Sequence, residues 1–111
     1  LGDGKQTRCF THVSDLARGI IMALESPKAA NEDFNLGSEK EWRMIDLAEL
    51  IYKLCGAKKP FKVKYVPGFT YDIKRRVPSS AKAKRILGWT PTKEFEEELL
   101  VVIDWVKNNL S

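Results

Sequence analysis

Apolar residues recur at helical spacing in four stretches of the chain. Val13, Leu16, Ala17, Ile20, Ile21 and Leu24 form one stripe, which Ser26-Pro27 ends. Met44, Leu47, Ala48, Ile51, Leu54 and Cys55 form a second, closed by Gly56, a residue suited to the left-handed turn after a helix. A third helix is short: Ser79 is the expected N-cap, Ala83, Ile86 and Leu87 face inward, and Gly88 stops it. The fourth carries Phe95, Leu99, Val102, Ile103, Val106 and Leu110, with Glu96, Glu97 and Glu98 as a solvated first turn that suits the helix dipole. Strands are predicted at Arg8–His12, Asp33–Leu36 and Phe61–Val66, the last from its alternation of apolar residues with lysines. Residues 1–8 and the proline-bounded segment 67–78 read as loops. The expected fold class is α/β, a small helix-rich lobe with a few short strands.

Length and composition fit that picture. A chain of 111 residues makes one domain at most, able to bury roughly 65% of its unfolded surface. No apolar run approaches the ~20 residues of a membrane span, and no export signal opens the chain. Two cysteines, Cys9 and Cys55, make neither a disulfide framework nor a metal site, and Cys55 on the apolar side of its helix reads as a buried free thiol. The expected compartment is the cytoplasm. Leu1-Gly2-Asp3-Gly4 reads like the middle of something longer, and either a shortened chain or a short gene product would look this way.

Charge changes the picture more. Between Lys58 and Arg85 stand ten Lys or Arg and one acid, Asp72, whereas residues 94–111 hold five acids and one lysine. A basic stretch of this kind suits an anion: a phosphate, a pyrophosphate or a nucleic acid. Catalytic patterns do not emerge. The single histidine, His12, precedes a helix and reads as a packed or capping imidazole. Neither a nucleophile–base pair, nor metal-ligand spacing, nor a glycine-rich phosphate loop between strand and helix is readable. Two arginine sites remain, Arg8 in Gln6-Thr7-Arg8 and Arg75-Arg76 in the 67–78 loop. Arginines from separate loops can grip a pyrophosphate through paired charge-assisted hydrogen bonds, and they can equally be solvated surface residues.

Three segments taken in order carry a resemblance: GDGKQTRCFTHVSDLARGI, NEDFNLGSEKEWRMIDLAELI and DIKRRVPSSAKAKRILGWTPTKEFEEEL. They resemble the C-terminal lobe of extended short-chain dehydrogenases, in particular the NAD-dependent nucleotide-sugar epimerases, dehydratases and decarboxylases. The first segment and residues 82–89 are the most specific. The resemblance implies that residues 1–111 are a nucleotide-sugar-binding lobe, the N-terminal doubly wound NAD domain with its Tyr-x-x-x-Lys pair being absent. It implies diphosphate contacts from Arg8 and Arg76, with Gln6 and Asn35 as polar positions lining the same cleft. NAD is then the cofactor of the full-length parent and is not bound by this lobe alone. The implied parent reaction is transient oxidation of a nucleotide-linked hexose at C4, with epimerisation of a UDP-sugar first, and dehydration or decarboxylation second.

There are departures from the family pattern. Cys9 stands where Asp usually follows the arginine, Arg43 where Ser or Thr opens the second helix, Ser79 where Asp opens the third, and Glu98 where Gly is common. The expected partner is a nucleotide-sugar, with neither nucleic acid nor membrane. Family dimers form through the NAD lobe, so any homo-oligomer would use the exposed face of this one. Two other readings stay open. One is a stand-alone non-enzymatic module that binds a nucleotide or a protein. The other is nucleic-acid binding through residues 58–85, where Phe61, Tyr65, Phe69 and Tyr71 offer stacking faces.

Overall fold

A computed structural model describes residues 1–110. The helices fall where the periodicity places them: α1 spans Val13–Glu25, α2 Met44–Leu54, α3 Ala81–Leu87 and α4 Phe95–Leu110. A single 3-10 turn, Pro27–Ala29, follows α1. The strands differ from expectation. The sheet is one antiparallel pair, β1 (Thr7–Cys9) with β2 (Glu41–Arg43), in the register Thr7–Arg43, Arg8–Trp42 and Cys9–Glu41. β1 stops short of His12 because that residue serves as the extended N-cap of α1, its Nδ1 accepting from the Ser14 backbone N–H at 3.2 Å. The predicted strands at 33–36 and 61–66 find no neighbouring ladder. Val66 alone joins a bridge, to Gly2.

The N-terminal loop has a structural task that its polar composition hides. The Gln6 and Gly4 carbonyls accept from the Met44 and Ile45 amides at 3.0 and 2.9 Å. Those are orphan N–H groups of the first turn of α2. Arg43, the N-cap of α2, makes no capping bond of its own and instead holds Asp46 through two bonds of 2.7 and 2.9 Å. Gly4, at φ +72°, needs its lack of a side chain, since a Cβ there would lie 3.1 Å from that of Ile45.

A compact hub joins α1, α3 and the turn after α3. Trp89 is wholly buried and donates its indole N–H to the Asp15 carbonyl at 2.9 Å. Gly19 lets Leu36 and Trp89 approach α1, since a Cβ would meet them at 2.7 and 2.9 Å. The Asp15 carboxylate, 2% exposed, accepts from the Thr92 and Lys93 amides, both at 3.0 Å, from the Thr92 hydroxyl at 2.9 Å and from Arg18 at 3.2 Å. Burial pushes this carboxyl up, but the four hydrogen bonds outweigh it and bring its pKa down to about 2. On the far side, Ser80 donates its hydroxyl to the Gly37 carbonyl at 2.7 Å and accepts the Gly37 amide at 3.0 Å. Ser80, not Ser79, is therefore the residue before α3, and its side chain spans to Gly37 instead of capping.

Beyond the hub the chain is open. Its accessible surface is 8527 Å², against about 6,200 Å² for a compact monomer of this mass. Its radius of gyration is 17.3 Å, against about 13 Å for a compact domain of this length. Much of the α1 stripe that the sequence predicts as inward faces outward: Val13, Ile20, Ile21 and Leu24 are exposed, Leu24 at 81%. Val101, Val102, Trp105 and Leu110 on α4 are exposed as well. Cys55 is also exposed, contrary to the expected buried thiol, because it is the C-cap residue where α2 runs out into the 56–66 segment.

Candidate functional site

β1 and the 67–78 loop, the strap, frame a cleft between them. The strap is tied to β1 by a backbone bond from the Thr7 N–H to the Lys74 carbonyl at 2.8 Å. At its start, Gly68 passes so close to Gly2 that a Cβ would meet the Gly2 Cα at 3.3 Å. Two ion pairs add to this. Arg75 grips Glu41 of β2, with Nε 3.1 Å from both carboxylate oxygens and Nη2 2.5 Å from one of them. That guanidinium holds the Glu41 carboxyl below its usual range. Arg8 donates through Nη1 to the Thr7 and Ile73 carbonyls, both at 2.7 Å, and through Nη2 to Asp72 at 3.2 Å.

Arg8, Asn35 and Arg76 meet in one cleft of about 380 Å³, whose other walls are Cys9, Val77 and Pro78. Three of the four expected residues are thus brought together from distant parts of the chain. Gln6 is not among them: its side-chain amide donates to the Leu1 carbonyl at 3.3 Å and so braces the N-terminal loop. Arg76 is exposed and has no hydrogen-bond or ion-pair partner among the described residues. Its neighbour Arg75 is committed to Glu41. Burial pushes the Cys9 thiol up, and the nearby Glu41 carboxylate adds to this, so the group that replaces the family's Asp is neutral at pH 7.

A second cavity, about 320 Å³, lies between β1 and the start of α4, walled by Phe10, Trp42, Phe95 and Leu99. Phe95 stacks at tilted angles on Phe10 and Trp42, with ring centroids 5.6 and 4.7 Å away. Here His12 does more than cap. With Nδ1 accepting from Ser14, the neutral ring carries its proton on Nε2, which donates to Glu98 at 3.2 Å. Glu98 is therefore half-buried and also meets Lys93 at 3.6 Å, so it is not the solvated residue that the acidic run suggests. Lys40 and Lys93 also line this cavity, each beside a glutamate: Lys40 at 3.8 Å from Glu94 and Lys93 at 3.6 Å from Glu98.

The sequence reading missed two residues. Asp15 looks like an ordinary first-turn acid of α1, and nothing local shows that its carboxylate reaches Thr92 and Lys93. Asp72 did carry a signal, as the one acid among the ten cations of the 58–85 stretch.

Gly2, Gly4, Gly56 and Gly88 have positive φ, but they lie in the N-terminal loop or after helix ends, and none opens a helix behind a strand. Among the described residues, no group of three or more His, Cys, Asp or Glu is placed to hold a metal, and no helix is long and apolar enough to cross a membrane.

A model of the GDP-mannose 4,6 dehydratase family matches residues 1–100. UDP-glucuronic acid decarboxylase 1 of Danio rerio is 34% identical over 109 residues, covering 98% of this chain and 25% of that protein. The crystal structure of UDP-glucose 4-epimerase from Thermotoga maritima with UDP-glucose superposes with a TM-score of 0.87 at 28% identity, covering 100% of this chain and 35% of the other. UDP-glucuronic acid 4-epimerase from Bacillus cereus, solved with UDP-glucuronic acid and NAD, gives 0.79 at 31% identity over 97% of this chain and 34% of that one. The chain thus spans between a quarter and about a third of the length of these relatives. It belongs to the GDP-mannose 4,6 dehydratase family, among the NAD-dependent nucleotide-sugar epimerases and dehydratases of the extended short-chain dehydrogenases.

Proposed function

We propose that residues 1–111 are the nucleotide-sugar recognition lobe of an NAD-dependent enzyme, and that Arg8 and Arg76 hold the substrate's diphosphate. The observation that carries this is the meeting of the two arginines with Asn35 in a single cleft, Arg76 being uncommitted. A diphosphate offers several anionic oxygens to guanidinium forks, and a cleft with one orienting amide suits its polar link to the sugar. Gln6 contributes by bracing the loop that leads into Arg8.

The parent reaction in this proposal is C4 epimerisation of a UDP-hexose, in line with the two 4-epimerase structures. Decarboxylation of a UDP-uronic acid is the second reading, favoured by the Danio rerio relative. NAD belongs to a lobe outside these residues, and the lobe described here derives no catalytic step from it. The outward apolar residues of α1 and α4 support that arrangement, since a free-standing binding module would not leave faces of this kind in water. Substrate binding, and exclusion of water over the diphosphate, are this chain's share.

The test is Arg76→Ala in the intact protein. UDP-sugar affinity should fall by about 1.5–3 kcal/mol, the scale of a hydrogen bond to a charged group. An unchanged dissociation constant in the folded variant removes Arg76 from the site.

A further inference from the structure

We infer that Asp72 is a positioning residue for Arg8, fixing the guanidinium so that its remaining donors are offered to the diphosphate; this rests on the recognition reading above. A guanidinium has five N–H donors. In Arg8 the two on Nη1 go to the Thr7 and Ile73 carbonyls, and one on Nη2 goes to Asp72. The Nε–H and the second Nη2 hydrogen are left, and Arg8 lines the cleft. An arginine free in solvent samples many rotamers and loses that freedom when a ligand orders it. Here three anchors from two segments of the chain hold it before any ligand arrives.

Asp72 is delivered by the strap's own fastenings. The Thr7–Lys74 backbone bond lies two residues further along, and the Arg75–Glu41 pair one residue beyond that. The Arg8–Asp72 pair is itself about one-third exposed on each side, so its direct contribution to folding is small. Its consequence lies in orientation. Arg76, four residues on, lines the same cleft and has no partner among the described residues. Asp72 does not touch the diphosphate and acts through Arg8 alone.

Calorimetric titration of the intact protein with UDP tests this through paired variants. Asp72→Ala should weaken binding roughly three- to tenfold, the scale of ordering one rotamer-rich side chain on binding. Asp72→Asn keeps an oxygen that can accept from Nη2 and should restore affinity to within about twofold of the parent protein. A merely structural role would move the melting temperature and leave this split absent. Where turnover is measurable, Asp72→Ala should raise KM with kcat little changed. Should Asp72→Ala fail to fold, Asp72→Ser, too short to reach Nη2, takes its place. Equal or tighter UDP binding by Asp72→Ala overturns the inference and makes Asp72 a competitor for Arg8. Failure of the unsubstituted protein to bind UDP shows itself before any variant is made, and overturns the diphosphate reading together with this one.

Discussion

The hub around Asp15 and Trp89 and the cleft between β1 and the strap use the same kinds of groups to opposite ends. In the hub, every donor and acceptor described is answered: the Asp15 carboxylate by four bonds, the indole N–H by a carbonyl, the Ser80 hydroxyl by both sides of Gly37. In the cleft the pairing is incomplete, with Arg8 left two donors and Arg76 all of its own. A satisfied buried network fixes one structure, whereas exposed donors without a protein partner are met by water. The hub anchors α1, α3 and the 33–39 segment that carries Asn35, so the rigid region positions part of the cleft wall. Binding residues on loops held by a firm scaffold are the usual arrangement.

This contrast can be broken from either side. The largest effect should come from Trp89→Ala, which empties a fully buried site. It should cost about 3–5 kcal/mol in denaturant unfolding. Arg76→Ala comes next, but on the other axis: about 1.5–3 kcal/mol of nucleotide-sugar affinity, with stability unchanged because the side chain is exposed and unpaired. A third test uses pH. The Asp15 pKa of about 2 in the fold lies below its ordinary value of 3.8, so its contribution is complete above about pH 4 and is lost as pH falls towards 2. Roughly 2 kcal/mol should disappear over that window, and Asp15→Asn should flatten it. His12→Ala should have the smallest effect, about 1 kcal/mol, through loss of the α1 cap and the Glu98 contact. Chemical denaturation read at pH 7 measures it.

The helices were legible because four amphipathic periods are strong local signals, and each was found within a few residues of its predicted place. The sheet was not. Glu41-Trp42-Arg43 has no run of β-branched residues and is a strand only because β1 lies beside it. Phe61–Val66 alternates well, yet alternation describes a surface and not a partner, and no ladder forms there. The cleft was legible through Arg8, Arg76 and Asn35, which the family resemblance pointed to and the strap brings together. Its control was less so. That Arg75 is spent on Glu41 and Arg8 is steadied by Asp72 depends on side chains far apart in sequence, which no local pattern encodes. Cys55 shows the same limit: the apolar period extends to it, but α2 ends at Leu54 and the thiol is left exposed at the C-cap.

The central claim is that Arg8 and Arg76 form one diphosphate site, and an NMR titration of the chain with UDP and then with uridine tests it most directly. The account expects UDP to shift resonances around Arg8, Asn35 and Arg76, uridine to leave them in place, and the UDP shifts to survive moderate salt. Equal shifts from both ligands, or broad movement along residues 58–85 that salt abolishes, would contradict it and leave the cleft as a surface for polyanions in general.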